Sequence, residues 1–351
     1  MGAGPRAAVA LFAIAASLAI AAPADAGLKA IWGPNALPDG SSAFPVYQRL
    51  GVDVLERQLV WRAVATRRPA QPRDPDDPAY IWPADLDAAV AEAGRHGMRV
   101  ALMVRGTPAW ANGGGTEARV PADVRDYADF VVAAARRYPA VRHWMVWGEP
   151  TRLGVFQPMS PGSRSGPRAY ARLLDRAYGA LKAERRSNVV IGGMTWTVGV
   201  QRPTRFLRWM RLPDGRPPRL DWYGHNPFSV RFPSLRKRPY EPGLRDLSDV
   251  DTLHREVRRA YRGRGLRPRL WLSEFTVTSD RASRGFSFFV SRRAQARWVT
   301  AAYRIAREPF VAGMGWYSLL DEADAVNGIT SGLLDAEGRP KPAFDAFRRA
   351  R

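Results

Sequence analysis

The sequence predicts an α/β fold, a single-domain (β/α)8 TIM barrel, and three observations predict it. Eight short apolar runs recur from one end of the chain to the other, rich in Val, Ile, Trp, Tyr and Met. A segment with helical spacing follows each of them. The turn after the first run, Ile31-Trp32-Gly33-Pro34-Asn35, is unlike the Gly-rich phosphate loop that opens the competing doubly wound sheet. Strands alternating with helices demand parallel pairing through crossovers, and eight such units close into a barrel.

In order, the predicted strands are Lys29–Gly33, Val52–Trp61, Arg99–Arg105, Arg142–Glu149, Val189–Trp196, Leu220–Phe228, Arg269–Val277 and Ala312–Leu320. The first predicted helix, Ala43–Leu50, is short. Pro83–His96 puts Leu86, Val90 and Ala93 on one face and closes at Gly97, a natural left-handed stop. Pro121–Arg137 opens with Pro-Ala-Asp, suited to a first turn, and buries Val124, Tyr127, Phe130 and Val131. Arg168–Arg186, Pro203–Leu212, Asp249–Gly263, Arg292–Arg307 and Pro342–Arg349 complete the set. The longest insertions, Arg67–Ile81 and Thr151–Pro167, follow strands two and four and so belong to the C-terminal face, where barrel chemistry sits.

Residues 1–26 read as a secretory signal peptide: Arg6, an apolar run from Ala7 to Ala22, then Ala24-Asp25-Ala26 as a cleavage site. The run is too short to span a bilayer, which takes about 20 residues. The expectation is therefore a secreted, extracellular domain over residues 27–351, with no integral membrane contact. The chain has no cysteine, which excludes disulfides, thiol catalysis and thiolate metal sites. Its formal charge is +21, unchanged by loss of Arg6 and Asp25. That charge points to electrostatic association with an anionic cell wall. Nucleic acid is not expected as a partner, because zinc-finger spacing, RNA-binding signatures and basic helices are missing. No metal site and no cofactor are expected, and the chain is expected to act as a monomer.

Two predicted strands end in glutamate. Strand four closes His143-Trp144-Met145-Val146-Trp147-Gly148-Glu149-Pro150, and strand seven closes Leu270-Trp271-Leu272-Ser273-Glu274-Phe275. Two carboxylates across one barrel mouth suit a reaction that needs an acid and a nucleophile, and glycoside hydrolysis is such a reaction. The alternative for each is structural: a helix cap for Glu149, an arginine partner for Glu274.

With those motifs the chain resembles the clan A glycoside hydrolases, of the family 5 and family 39 type. Trp147-Gly148-Glu149-Pro150 is similar to the clan's Asn-Glu-Pro motif, and Ser273-Glu274-Phe275 to its strand-seven motif. Gly106-Thr107-Pro108-Ala109-Trp110-Ala111 resembles its Thr-Pro-x-Trp turn. Asp221-Trp222-Tyr223-Gly224-His225-Asn226-Pro227-Phe228 resembles its strand-six His-x-Pro-Tyr segment, and Gly315-Trp316-Tyr317 the strand-eight segment that brings a Trp beneath the sugar. The resemblance implies a retaining β-glycosidase acting on an oligo- or polysaccharide, with Glu149 as acid/base and Glu274 as the ionised nucleophile. It implies substrate contacts from His225, Trp316, Trp110, Trp147, Tyr223, Asn226 and Tyr317. Three positions depart from the pattern. Gly148 replaces an Asn and Phe228 a Tyr, while Glu56 falls where an Arg is usual. Strand alternation points the neighbouring Arg57 to the opposite face. These departures motivate a second reading, a catalytically impaired carbohydrate-binding barrel at the cell surface.

Overall fold

Eight parallel strands close on themselves in the computed structural model, which describes residues 1, 27–283, 285–324 and 326–350. The signal-peptide reading of residues 1–26 falls almost wholly outside the described residues. The barrel strands are β1 (Leu28–Trp32), β2 (Val54–Val60), β3 (Arg99–Arg105), β4 (His143–Val146), β5 (Val189–Trp196), β6 (Trp222–Asn226), β7 (Arg269–Phe275) and β8 (Val311–Tyr317). Each pairs with its sequence neighbours, and β8 closes the ring on β1. The helices are α1 (Phe44–Arg49), α2 (Trp61–Val64), α3 (Ala84–Arg95), α4 (Val124–Arg137), α5 (Ser165–Glu184), α6 (Pro203–Trp209), α7 (Val250–Tyr261), α8 (Arg292–Ala306) and α9 (Pro342–Arg349).

All eight predicted strands are present, and their ends are trimmed for physical reasons. β4 stops at Val146 because Trp147 and Glu149 turn to φ 64° and 43°, which no strand ladder accommodates. α4 begins later than Pro121, at Val124, because the Asp123 carboxylate accepts from the Arg125 amide and sets the first turn there. Gly97 ends α3 as expected, at φ 71°.

Strand alternation sorts side chains into two cores. Inside the barrel lie Ala30, Trp32, Val54, Ala101, Met103, Met145, Ile191, Met194 and Trp271. A larger apolar shell fills the space between strands and helices, with Trp61, Trp144, Tyr170, Tyr223 and Trp316 fully buried in it. Near the floor, His143 stacks on Trp222 and Trp271 at centroid distances of 5.4 and 6.1 Å, and burial pushes its imidazole down to about 4. Among the described residues no helix is long and apolar enough to cross a membrane.

Opposite the mouth, one lysine ties β1 to the ends of α1 and α9. The buried Lys29 ammonium on β1 donates to the carbonyls of Leu50 after α1 at 2.7 Å and of Ala350 after α9 at 2.8 Å, and also to Phe347. It thereby satisfies helix-end acceptors that would otherwise be orphaned. Lys29→Met is expected to lower unfolding free energy by about 2–4 kcal/mol, because it leaves buried carbonyls unpaired. Urea denaturation checks this, and an unchanged midpoint contradicts it.

Candidate active site

The site is assembled from strand ends. After β4 the two left-handed residues fold the chain back, so Trp147 drops into the outer shell and Glu149 turns into the mouth. The Trp147 ring is fully buried against Phe156 and donates to the Val155 carbonyl at 2.9 Å, pinning the loop after β4. Gly148 between them is dictated by space: a Cβ there would lie 2.4 Å from the Met103 sulfur. Met103, facing inward from β3, occupies the volume that an Asn side chain would need.

Glu149 and Glu274 line one cleft of about 590 Å³ at the C-terminal end of the barrel. Glu149 receives two hydrogen bonds, from the Asn226 amide to Oε1 at 3.0 Å and from the Arg152 guanidinium to Oε2 at 3.1 Å. Among the described residues Glu274 has no such ion pair. Burial, reinforced by the negative charge of Glu149, pushes its carboxyl up to about 8, against weaker opposing effects of Arg152 and Asn226. Its side chain is partly open to the cleft, yet protein crowds it on every other side. Both effects work against the ionised Glu274 that the resemblance implies.

A third carboxyl lies beneath. Glu56 on β2 is completely buried inside the barrel, where Oε1 accepts from the Trp271 indole at 3.0 Å. Burial first, and the charge of Glu274 second, hold it well above the usual carboxylate range. Its Oε2 occupies the space beside Gly315, where even a Cβ would come within 1.9 Å. Arg57 points outward, as alternation predicts, donating to Asn35 Oδ1 at 2.9 Å and pairing with Asp85 at 2.7 Å.

The structure separates the expected substrate contacts. Tyr317 lines the cleft, and burial, then the charge of Glu274, push its phenol up to about 12. Asn226 reaches the pair through Glu149. The others stand elsewhere. His225 is fully buried with both ring nitrogens occupied: the Thr195 hydroxyl lies 2.8 Å from Nδ1, and Nε2–H donates to the Arg245 carbonyl at 2.7 Å. Burial lowers it to about 4, so it is neutral and has no hydrogen-bonding atom left for a substrate. Tyr223 and Trp316 face the helix shell, the Trp316 indole donating to the Ser331 carbonyl at 3.0 Å. Trp110 packs edge-on against Trp61 beneath the Arg68 guanidinium and donates to the Ala65 carbonyl. The reason is phase: Gly315 and Tyr317 face inward on β8, so Trp316 faces out.

The cleft instead recruits residues that the motifs did not flag. Gln58, Met103, Arg105, Arg152 and Trp196 line it. Arg105 donates to Glu117 at 3.1 Å, and the Arg152 guanidinium sits 5.1 Å above the Trp196 ring. Arg105 and Trp196 are the last residues of β3 and β5, positions that point to the mouth in any barrel. Among the described residues, no group of His, Cys, Asp and Glu is arranged to hold a metal ion.

The same fold recurs in solved structures. A family 39 glycoside hydrolase from the gut symbiont Bacteroides cellulosilyticus WH2 superposes with a TM-score of 0.64 at 16% identity, over 91% of this chain and 62% of that one. A glucosidase from Croceicoccus marinus gives 0.66 at 17% identity, over 92% and 66%. A monomeric beta-xylosidase from Caulobacter crescentus CB15 gives 0.59 at 17%, over 92% and 67%. This chain therefore shares the barrel fold of these three glycoside hydrolases and spans about two thirds of their length. No family model and no curated protein sequence matches it.

Two outcomes follow. Glu274 is raised from 4.5 to about 8 in the fold, so its ionisation disfavours the native state. The stability that its neutral form permits is fully present below pH 4.5 and is lost as pH rises through 8. Glu274→Gln should match the wild type at pH 4 and melt a few degrees higher at pH 9. Calorimetry at the two pH values decides, and an equal melting point at pH 9 contradicts it. Gly148→Asn should lower stability by about 1–3 kcal/mol through overpacking, and Met103→Ala should recover part of that in the double variant. Simple additivity in the double-mutant cycle would remove Met103 as the cause.

Proposed function

We propose that this protein is a retaining β-glycoside hydrolase, a reading that rests above all on Glu149 and Glu274 facing one cleft at the ends of β4 and β7. In the first step Glu149 protonates the glycosidic oxygen while Glu274 attacks the anomeric carbon. In the second, Glu149 takes a proton from water, which releases the sugar from Glu274. The roles follow the resemblance to clan A. Asn226 holds the Glu149 carboxyl in place for both steps, Arg152 holds it until the glycosidic oxygen arrives, and Tyr317 stands in the same wall, near both carboxylates.

Double displacement needs the proton on Glu149 and the charge on Glu274, whereas burial and the negative charge of Glu149 oppose ionisation of Glu274. A bound glycosidic oxygen competes with Arg152 for Glu149 and favours the productive arrangement. The pair must keep one proton in either arrangement. Loss of that last proton above about pH 8 removes the acid, so kcat/KM is expected to fall about tenfold per pH unit there. A rate that stays level to pH 10 contradicts the shared proton.

One observation favours a second reading, a carbohydrate-binding barrel with impaired catalysis. Buried Glu56 stands beneath the nucleophile where the clan places a cation, and burial and then the charge of Glu274 hold its carboxyl well above the usual range, so no cation stands at that position to favour the ionised nucleophile. An activated 2-fluoroglycoside separates the two. Covalent labelling at Glu274 that Glu274→Gln abolishes supports the enzyme; binding without labelling or turnover supports the second reading. We also propose that the chain is exported through cleavage after Ala26, acts as a monomer, and associates with an anionic cell wall through its charge of +21.

A further inference from the structure

The wall of the cleft changes character from one side to the other. On the side of β2, β3 and β4 it offers Gln58, Arg105, Glu149 and Arg152, groups that suit hydroxyls. Across the ring, the loops after β6 and β7 present Phe228, Val230, Val277, Phe286 and Phe288. This apolar side is built rather than collapsed. The rings of Phe228 and Phe286 meet at 5.4 Å and 63°. Backbone hydrogen bonds between Ser283 and Phe286 hold the second ring in place. A short parallel ladder, Thr278–Ser279 with Phe289–Val290, anchors the loop behind it. Phe228, Phe286 and Phe288 all remain partly open to solvent.

The apolar surface continues over the rim. Val198, Val230, Phe232, Tyr240 and Phe289 are each 39–54% exposed, on the loops after β5, β6 and β7. Singly exposed apolar residues need no explanation, but their confinement does. Beyond Met1, every large apolar side chain exposed among the described residues lies on a loop that follows a barrel strand. The helices and the opposite end of the barrel carry none.

We propose that the cleft takes an amphiphilic glycoside, a sugar carrying a long apolar aglycone. The sugar would sit between Glu149 and Glu274, and the aglycone would run along the Phe228–Phe286–Phe288 wall and leave across the rim. The proposal rests on the glycosidase reading for the sugar end alone; the apolar subsite stands on its own residues. A cleft of about 590 Å³ has room for both parts. An apolar aglycone would cover more of this phenylalanine surface than would a sugar, whose hydroxyls find such small polar groups as Ser229, Thr276 and Ser287 beside it.

Calorimetric titration of the full chain with methyl, hexyl and octyl β-D-glucopyranoside, each below its aggregation concentration, tests this. Full burial tightens binding by about fourfold per methylene. The octyl compound is expected to bind at least tenfold tighter than the methyl one. In Val230→Ser/Phe286→Ser the difference should fall below threefold. Val230→Ser alone, at a half-exposed position, gives a smaller drop and serves if the double variant does not fold. Equal affinity across the series overturns the proposal, and so does a chain-length effect that survives both variants. Turnover is not the readout. A chain-length effect without hydrolysis of any glycoside therefore removes the glycosidase reading and leaves the apolar subsite, whereas hydrolysis without the effect does the reverse.

Discussion

Three glutamates stand within one barrel, and the cost of burying their charge constrains the groups around them. Water can reach Glu149 and Glu274 at the cleft but not Glu56, so the cost of charge rises with depth. The barrel answers with a gradient. At the mouth, Arg152 and Asn226 engage Glu149 directly. One level in, Glu274 has no ion-pair partner among the described residues and is pushed up to about 8. At the bottom, Glu56 receives a single indole hydrogen bond and sits in a space made by Gly315. Charge collects where solvent and arginine can stabilise it, and protons collect below.

This gradient separates what the fold requires from what the chemistry requires. Ionising Glu274 opposes stability, yet nucleophilic attack needs that ionisation. The surrounding shell supplies the rigidity that tolerates the conflict. Trp147, Tyr223, His225 and Trp316 resemble sugar-binding residues by motif, but each is spent on holding a strand end or loop. The guanidinium groups left in the cleft wall, Arg105 and Arg152, stand on one side of the ring, and the phenylalanines stand on the other, beside Ser229, Thr276 and Ser287.

The strands and helices were legible because burial alone fixes them: apolar runs of strand length alternate with amphipathic segments, and little else closes such an order. The two glutamates were legible for the same reason, as the residues where apolar runs end. Alternation also placed Arg57 outside and Glu56 inside. At β8 the same alternation puts Tyr317 at the cleft and turns Trp316 to the helix shell, so the two neighbours cannot both contact a substrate there. The left-handed turn at Trp147 and Glu149 left no sequence signal, since neither residue favours positive φ. Met103 beneath Gly148, and the loop phenylalanines that meet across the cleft, depend on contacts between segments far apart in the chain. No local pattern encodes those.

The account turns on whether the Glu149–Glu274 pair performs two displacements at one carbon. Proton NMR of the first sugar released from a cleaved β-glycoside, recorded before mutarotation, reads this directly. Two inversions at the anomeric carbon predict the β-anomer as the initial product. An initial α-anomer would mean a single displacement by water, and would contradict the role given to Glu274.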